Sequence, residues 1–473
     1  MAIKPPDLLN RLPSVSELLE KPPIRALAER WNRSVVAGNV RKFLEEMATD
    51  LRRRAADMPL PPIRELAERA ARFVVSQQQS SLGTAINATG SIWGTQWKNV
   101  PLADVALERA IAVGREFAME PATQSGASAA NVESLLCRLT GGQAAVVVNS
   151  YISAVWLSLA ALAADREVLI ARADVGEVGL ANPLPKLAAA AGVFLKEVGT
   201  TNRTAVADYE AAASPRAAAI LQLDPDTYRV VGETSTPQLS ELVTLARGRK
   251  LTLIQALGTA PIIDPPSDVC WPQQSVKATL DAGVDVAIVR GDGLIGGPEC
   301  GVLIGTQEII HRIMQHPSCP ALELDPLRSA ALIATLGCYD NSPNGIQAIP
   351  VWQFLTVPLE NLRNRAERMA PQLAQAIGVA TATALEMHSQ LFPAMNTHAN
   401  WPSCGVALAP ADGNIQGLAS RLRTGSPPIV GRIESERLVL DLRTVLPRQD
   451  KLLVDALLNE PAVVPDRPAE GTA

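Results

Sequence analysis

Long apolar runs are absent from this chain. Nowhere in its 473 residues does an unbroken apolar stretch approach the roughly 20 residues of a membrane span, which excludes a helical membrane protein. Cysteine is sparse and dispersed. Cys137, Cys270, Cys300, Cys319, Cys338 and Cys404 form no C-x-x-C pair, which argues against a disulfide framework and against a zinc site. The histidines His311, His316, His388 and His398 are equally scattered. The five-residue step from His311 to His316 does not stack them on one helical face, so no metal site is expected. Aromatics make up only 4% of the chain, so the core must be built mainly from Ala, Leu and Val. Walker A, nucleophile-elbow and H-E-x-x-H patterns are missing. The opening Lys4-Pro5-Pro6-Asp7 is no signal peptide, which points to the cytoplasm.

What is present suits two or three globular domains: 47% hydrophobic and 19% charged residues, with net charge −5. The charge is uneven, because residues 1–80 carry 14 basic and 10 acidic side chains, net +4, and the remainder carries −9. A basic segment can face an RNA backbone. Its charges also alternate in sign, as in Glu45-Glu46 and Arg52-Arg53-Arg54, and on charge alone a solvated helical surface is favoured.

Periodicity divides the chain. Leu8, Leu9, Leu12, Leu18, Leu19, Val40, Phe43, Leu44, Met47 and Leu51 recur at helical spacing, and a further helix over 63–75 leads into the polar linker 76–81. This gives a helical domain over 1–80. From 86 to 340, helices (102–116, 131–139, 151–164) alternate with β-rich runs (144–148, 167–170, 192–197, 218–223, 252–254, 284–289, 301–304). Such alternation predicts a mainly parallel sheet covered on both faces. Residues 341–460 read as an α/β C-terminal domain, with a helix over 355–377, strands near 405–408 and 437–442, and a closing helix over 450–458. The Pro/Ala/Gly-rich tail 461–473 reads as disordered.

One loop invites a nucleotide reading. Gly291-Asp292-Gly293-Leu294-Ile295-Gly296 fits G-x-G-x-x-G, which must open a crossover helix. Gly297-Pro298 and a second apolar strand follow too soon, so the loop is a glycine-rich strand–loop–strand corner.

Several blocks share an order. They are Leu12-Pro13-Ser14-Val15-Ser16-Glu17-Leu18-Leu19, Ile86-Asn87-Ala88-Thr89-Gly90, and Val132-Glu133-Ser134-Leu135-Leu136-Cys137-Arg138-Leu139-Thr140-Gly141. Glu197-Val198-Gly199-Thr200-Thr201-Asn202-Arg203-Thr204 comes next, then Gly291-Asp292 with Gly296-Gly297-Pro298. Last come Pro427-Pro428-Ile429-Val430-Gly431-Arg432-Ile433 and Leu440-Asp441-Leu442-Arg443-Thr444-Val445. Together, over nearly the full length, they resemble the bacterial L-seryl-tRNA(Sec) selenium transferase (selenocysteine synthase) family. The resemblance implies an α/β fold of the fold-type-I class of pyridoxal-phosphate (PLP) transferases, with a small helical N-terminal domain and an α/β C-terminal domain. It implies conversion of seryl-tRNA(Sec) to selenocysteyl-tRNA(Sec) with selenophosphate. It also implies a tRNA grip through residues 1–80, which reverses the reading from charge alone, and a homo-oligomer built from dimers. No membrane or DNA partner is implied.

PLP chemistry asks for a Schiff-base lysine, an acid beside the pyridine nitrogen and a polar cup for the phosphate. The family's S-G-D-K-L-L-G-G-P becomes Arg290-Gly291-Asp292-Gly293-Leu294-Ile295-Gly296-Gly297-Pro298, so Gly293 replaces the lysine, and the chain's nine lysines include none in this loop. The family's D-L-G-S-G reads Ala256-Leu257-Gly258-Thr259-Ala260, which removes the acid, and Asn131 stands where the ring-stacking histidine is expected. V-V-N-N-N-A-A-A becomes Val147-Val148-Asn149-Ser150-Tyr151-Ile152-Ser153-Ala154. Asn149, Ser150, Tyr151 and Asp292 are therefore the vestigial cofactor positions, and Tyr151 and Ile152 are bulky enough to fill the cup. Anion-binding arginines are replaced in Trp93-Gly94-Thr95-Gln96-Trp97-Lys98-Asn99, Ser125-Gly126-Ala127-Ser128 and Pro320-Ala321-Leu322-Glu323.

Three readings follow. The first is a degenerate homologue without PLP catalysis, binding tRNA or co-assembling with an intact paralogue as a regulatory or structural subunit. The second is an active transferase using a displaced lysine such as Lys98. The third is a cleft repurposed for a ligand near Trp93, Trp97 and Tyr151. Against the third, collapse of aromatics into the space is favoured, being less destabilising than a cavity.

Overall fold

The structure, a computed structural model, describes residues 12–53, 61–78, 83–93, 97, 99–118, 131–179, 182–224, 228, 230–265, 273–340, 345–391 and 401–458. The chain forms two compact units, Met1–Ala85 and Ile86–Ala473.

The first unit is helical: Val15–Leu19, Pro22–Arg30, Arg33–Arg53 and Ile63–Gln78. Ser14 caps the first helix by accepting the Glu17 N–H, and Pro22 starts the second where no N–H is needed. Leu18, Ile24, Val36, Val40, Phe43, Ala67, Ala70 and Val74 meet in its core. The last helix runs three residues past the expected end at Val75. Lys42 Nζ donates to Gln77 Oε1 at 3.1 Å and ties that final turn to the preceding helix.

The second unit holds a seven-stranded sheet made of β2 (Ala144–Val148), β3 (Glu167–Ala171), β4 (Phe194–Val198), β5 (Ala217–Leu223), β6 (Thr252–Gly258), β7 (Val286–Arg290) and β8 (Gly301–Gly305). Their order is β2-β8-β7-β6-β5-β3-β4. Neighbours from β7 to β4 pair in parallel, and β8 is antiparallel to both β7 and β2. The central strands are apolar on both faces because helices cover both, and two buried clusters include Trp352 and the helix Tyr151–Ala163 respectively.

A four-stranded antiparallel sheet in the same unit has the order β12 (Arg432–Glu434), β13 (Arg437–Asp441), β10 (Trp401–Pro410), β9 (Val379–Ser389). It is tied to the segment entering the unit, because β1 (Ile86–Asn87) pairs with β11 (Ile429–Val430) and Asp441 N–H donates to Ala88 O at 2.9 Å. The expected helix 355–377 is two helices, Pro350–Thr356 and Leu359–Leu373. Pro358 lacks an N–H and pushes Val357 out of the helical region, which sets the break. Among the described residues no helix is long and apolar enough to cross a membrane.

Candidate functional site

The corner between β7 and β8 is closed by backbone hydrogen bonds. Gly291 N–H donates to Cys300 O at 2.9 Å, Gly297 N–H to Gly291 O at 2.8 Å and Gly296 N–H to Gly293 O at 3.0 Å. Gly296 has φ +70°, and a Cβ there would collide with Ile349, so the turn requires glycine at that position. β8 returns directly antiparallel to β7 with no helix between, which settles the dinucleotide motif as a chance match. Gly293 lies against the end of β6. A Cβ at 293 would stand 3.0 Å from Thr259 Cα and 3.4 Å from Thr259 O.

Arg290, at the end of β7, dominates this corner. Its guanidinium makes two hydrogen bonds to Asp292, Nε to Oδ1 and Nη2 to Oδ2, each at 3.1 Å. The side chains are 13% and 6% exposed, so each charge is withdrawn from water and compensated by the other. Arg290 Cζ lies over the Trp93 ring at 4.4 Å from its centroid and over the Tyr151 ring at 5.7 Å. Tyr151 is held in turn, its Oη accepting the Gly258 N–H at 3.1 Å.

Around this group, Ser150 caps the helix Tyr151–Ala163. Its Oγ accepts the Ser153 N–H at 3.1 Å, and Ser153 Oγ donates to Asn149 Oδ1 at 2.9 Å. Asn149 N–H donates to Leu322 O at 2.8 Å, which brings the Pro320–Leu322 turn and Glu323 beside β2. Ala256 is fully buried in β6, between Leu223 of β5 and Ile288 of β7. Asn131 is exposed and caps the helix Val132–Thr140, its Oδ1 accepting the Ser134 N–H at 2.7 Å. Its side chain serves its own helix. Trp93 is buried, and its Nε1 has no hydrogen-bond partner among the described residues. Lys98 and residues 125–128 lie outside the described residues.

Residues 85–446 match the L-seryl-tRNA selenium transferase family, and residues 9–47 match the selenocysteine synthase N-terminal domain. The chain belongs to the L-seryl-tRNA selenium transferase family. Among its relatives, the L-seryl-tRNA(Sec) selenium transferase of Hyphomonas neptunium is 34% identical over 93% of this chain and 96% of its own. That of Moorella thermoacetica is 34% identical over 96% of this chain and 97% of its own. Among solved structures, D-glucosaminate-6-phosphate ammonia-lyase superposes with a TM-score of 0.57 at 18% identity, covering 81% of this chain and 97% of that one. That likeness is one of fold, the fold-type-I architecture of PLP enzymes.

The selenium transferase family is one of PLP enzymes. Of the positions singled out from sequence, Gly293, Asp292 and Tyr151 come together at the ends of β6 and β7, with Ser150 and Asn149 alongside. Sequence reasoning missed Arg290 as the centre of the group. The signal was an arginine two residues before an acid in an otherwise apolar corner. A second group was also missed. Asp174 follows β3, and burial pushes its carboxyl up to about 7. Burial and the nearby Asp174 charge push the Tyr228 phenol up to about 12.

Proposed function

We propose that this chain is a selenium transferase homologue that keeps the family fold and has lost the PLP Schiff base. The observation that carries the reading is Gly293, a residue with no amine, set against the Thr259 backbone where the resemblance puts the cofactor lysine. The residues present do not fit a covalently held PLP. The pyridine-acid position, Ala256, is fully buried and apolar, and Asn131 spends its amide on a helix cap. Of the described lysines, Lys196 pairs with Glu167, Lys277 with Asp281, and Lys42 donates to Gln77. No step through PLP is assigned to this chain.

In this reading the chain acts through binding. The relatives' names give seryl-tRNA as the partner, and residues 1–80, with their net charge of +4, offer the surface. Assembly with copies of itself or with an intact paralogue in the cytoplasm would make it a non-catalytic subunit. The test is to add PLP to the purified chain, reduce with borohydride and map any adduct by peptide mass. The expected result is no stoichiometric adduct, with seryl-tRNA still retained in a gel-shift titration. A stoichiometric adduct on one lysine, Lys98 included, together with rescue of a strain lacking its selenocysteine synthase, would establish an active transferase instead.

A further inference from the structure

We infer that Arg290 is a built-in occupant of the cofactor cleft, a tethered planar cation that fills the space beside Trp93 and Tyr151 and closes it to PLP and to phosphate. The inference rests on the family reading above, which identifies these positions as the cleft, and goes beyond loss of the lysine. A cleft that has lost its lysine can still bind cofactor without a covalent bond. This one is filled.

Four observations converge. The guanidinium lies over two aromatic rings, at 4.4 Å and 5.7 Å, and is anchored by two hydrogen bonds to Asp292. The ion pair is almost wholly withdrawn from water yet internally compensated, the condition under which a buried charge persists. At the head of the helix Tyr151–Ala163, the Ser153 N–H is already used by Ser150 Oγ at 3.1 Å and the Ala154 N–H by Ser150 O at 3.0 Å. From the other side, Gly179 approaches so closely that a Cβ on it would stand 3.3 Å from Arg290 Nη1. Arg290 occupies the position where the family loop has serine, so the bulk is an addition to the loop.

The test compares the full-length wild type with Arg290→Ser and Arg290→Lys, using PLP and inorganic phosphate as probes. Thermal unfolding and tryptophan fluorescence, which reports on the Trp93 face that Arg290 covers, are the readouts. Wild-type Tm and fluorescence should not respond to either probe. Arg290→Ser should lower Tm by roughly 3 to 6 °C, brighten or shift the tryptophan emission, and gain a PLP-dependent rise in Tm. Arg290→Lys, which keeps the charge and loses the plane, should fall between. Reversible PLP binding by the wild type, seen as a Tm rise without a borohydride-fixed adduct, overturns the inference and leaves the proposed function intact. A stoichiometric fixed adduct on the wild type overturns the proposed function itself. An Arg290→Ser protein that folds and gains no PLP response also overturns the inference. Should that variant fail to fold, the wild-type titration decides alone.

Discussion

Asp174→Asn should make the protein more stable at neutral pH and leave it unchanged in acid. Asp174 ends a short turn after β3, where the Leu223 backbone N–H helps hold the carboxylate, while burial acts the other way and is the larger effect. Tyr228 is held nearby, donating its hydroxyl to Ala173 O at 2.5 Å. The carboxyl is pushed from its ordinary 3.8 to about 7. Between those values the folded chain holds a proton that the unfolded chain has released, so stability falls as pH rises from about 4 to about 7 and stays low above it. Three pH units correspond to about 4 kcal/mol for a fully desolvated charge, and partial solvent access brings the expected loss to about 2 kcal/mol. The assay is urea unfolding of both proteins at intervals from pH 4 to pH 8, read as the difference between them, which cancels the other titrating groups. The difference should be near zero at pH 4 and grow to about 2 kcal/mol in favour of the variant by pH 8. Parallel curves, or a wild type that is the more stable at pH 8, would refute the argument.

Three further substitutions test other parts of the fold. Asp441 is fully buried and accepts hydrogen bonds from Ser389 Oγ at 2.6 Å, Ser403 Oγ at 2.6 Å, Arg432 Nη1 at 2.8 Å and the Arg443 N–H at 3.0 Å. Asp441→Asn strips the charge that answers Arg432 and should cost about 3 kcal/mol or more, with a lower urea midpoint at unchanged slope; an unmoved midpoint would count against the network. Gly293→Ala places a methyl 3.0 Å from Thr259 Cα, and overpacking of that kind costs about 1 to 3 kcal/mol in equilibrium unfolding. A neutral or stabilising result would refute close packing of Gly293 against Thr259. Asn131→Ala should cost about 1 kcal/mol through loss of its cap while Asn131→Asp stays near neutral, and equal losses in both variants would refute the capping role.

Much of the second unit is legible in sequence because its signals are local. Ala144–Val148 is an apolar run between Gly141-Gly142 and a helix capped by Ser150, so its bounds can be read directly. The corner at 290–301 follows from glycine density and the short step to β8. Less visible is β9, an edge strand with half-exposed Ala and Thr in place of a bulky apolar face. The helix over 355–377 misreads because apolar spacing carries on across Pro358 while the backbone cannot. Within the site, Gly293 and Ala256 can be singled out from sequence only through the family resemblance. The Arg290 group cannot be, because Trp93, Tyr151 and Asp292 meet it only through the fold. Asp174 gives no sequence signal at all, since what raises its proton affinity is burial beside β5.

Five of the expected departures from the family form two classes of opposite size. On the proposed reading, lysine and aspartate give way at 293 and 256 to Gly293 and Ala256, the smallest side chains. At 290, 151 and 93, serine, asparagine and leucine give way to Arg290, Tyr151 and Trp93, among the largest. Read along the chain these are scattered changes. In the fold, Arg290 lies over the rings of both Trp93 and Tyr151. Cores hold near-crystalline density, and a void of cofactor size lined by apolar groups would be strongly destabilising. On the proposed reading, the bulk at these three positions would replace packing that a bound cofactor supplies, and the arrangement has a directional consequence. Reinstating a lysine at 293 and an acid at 256 would place charged side chains into a space that Arg290 and Tyr151 already fill. On that reading, recovery of cofactor chemistry would require the bulky set to be reversed first, and the two classes of change would act as one unit.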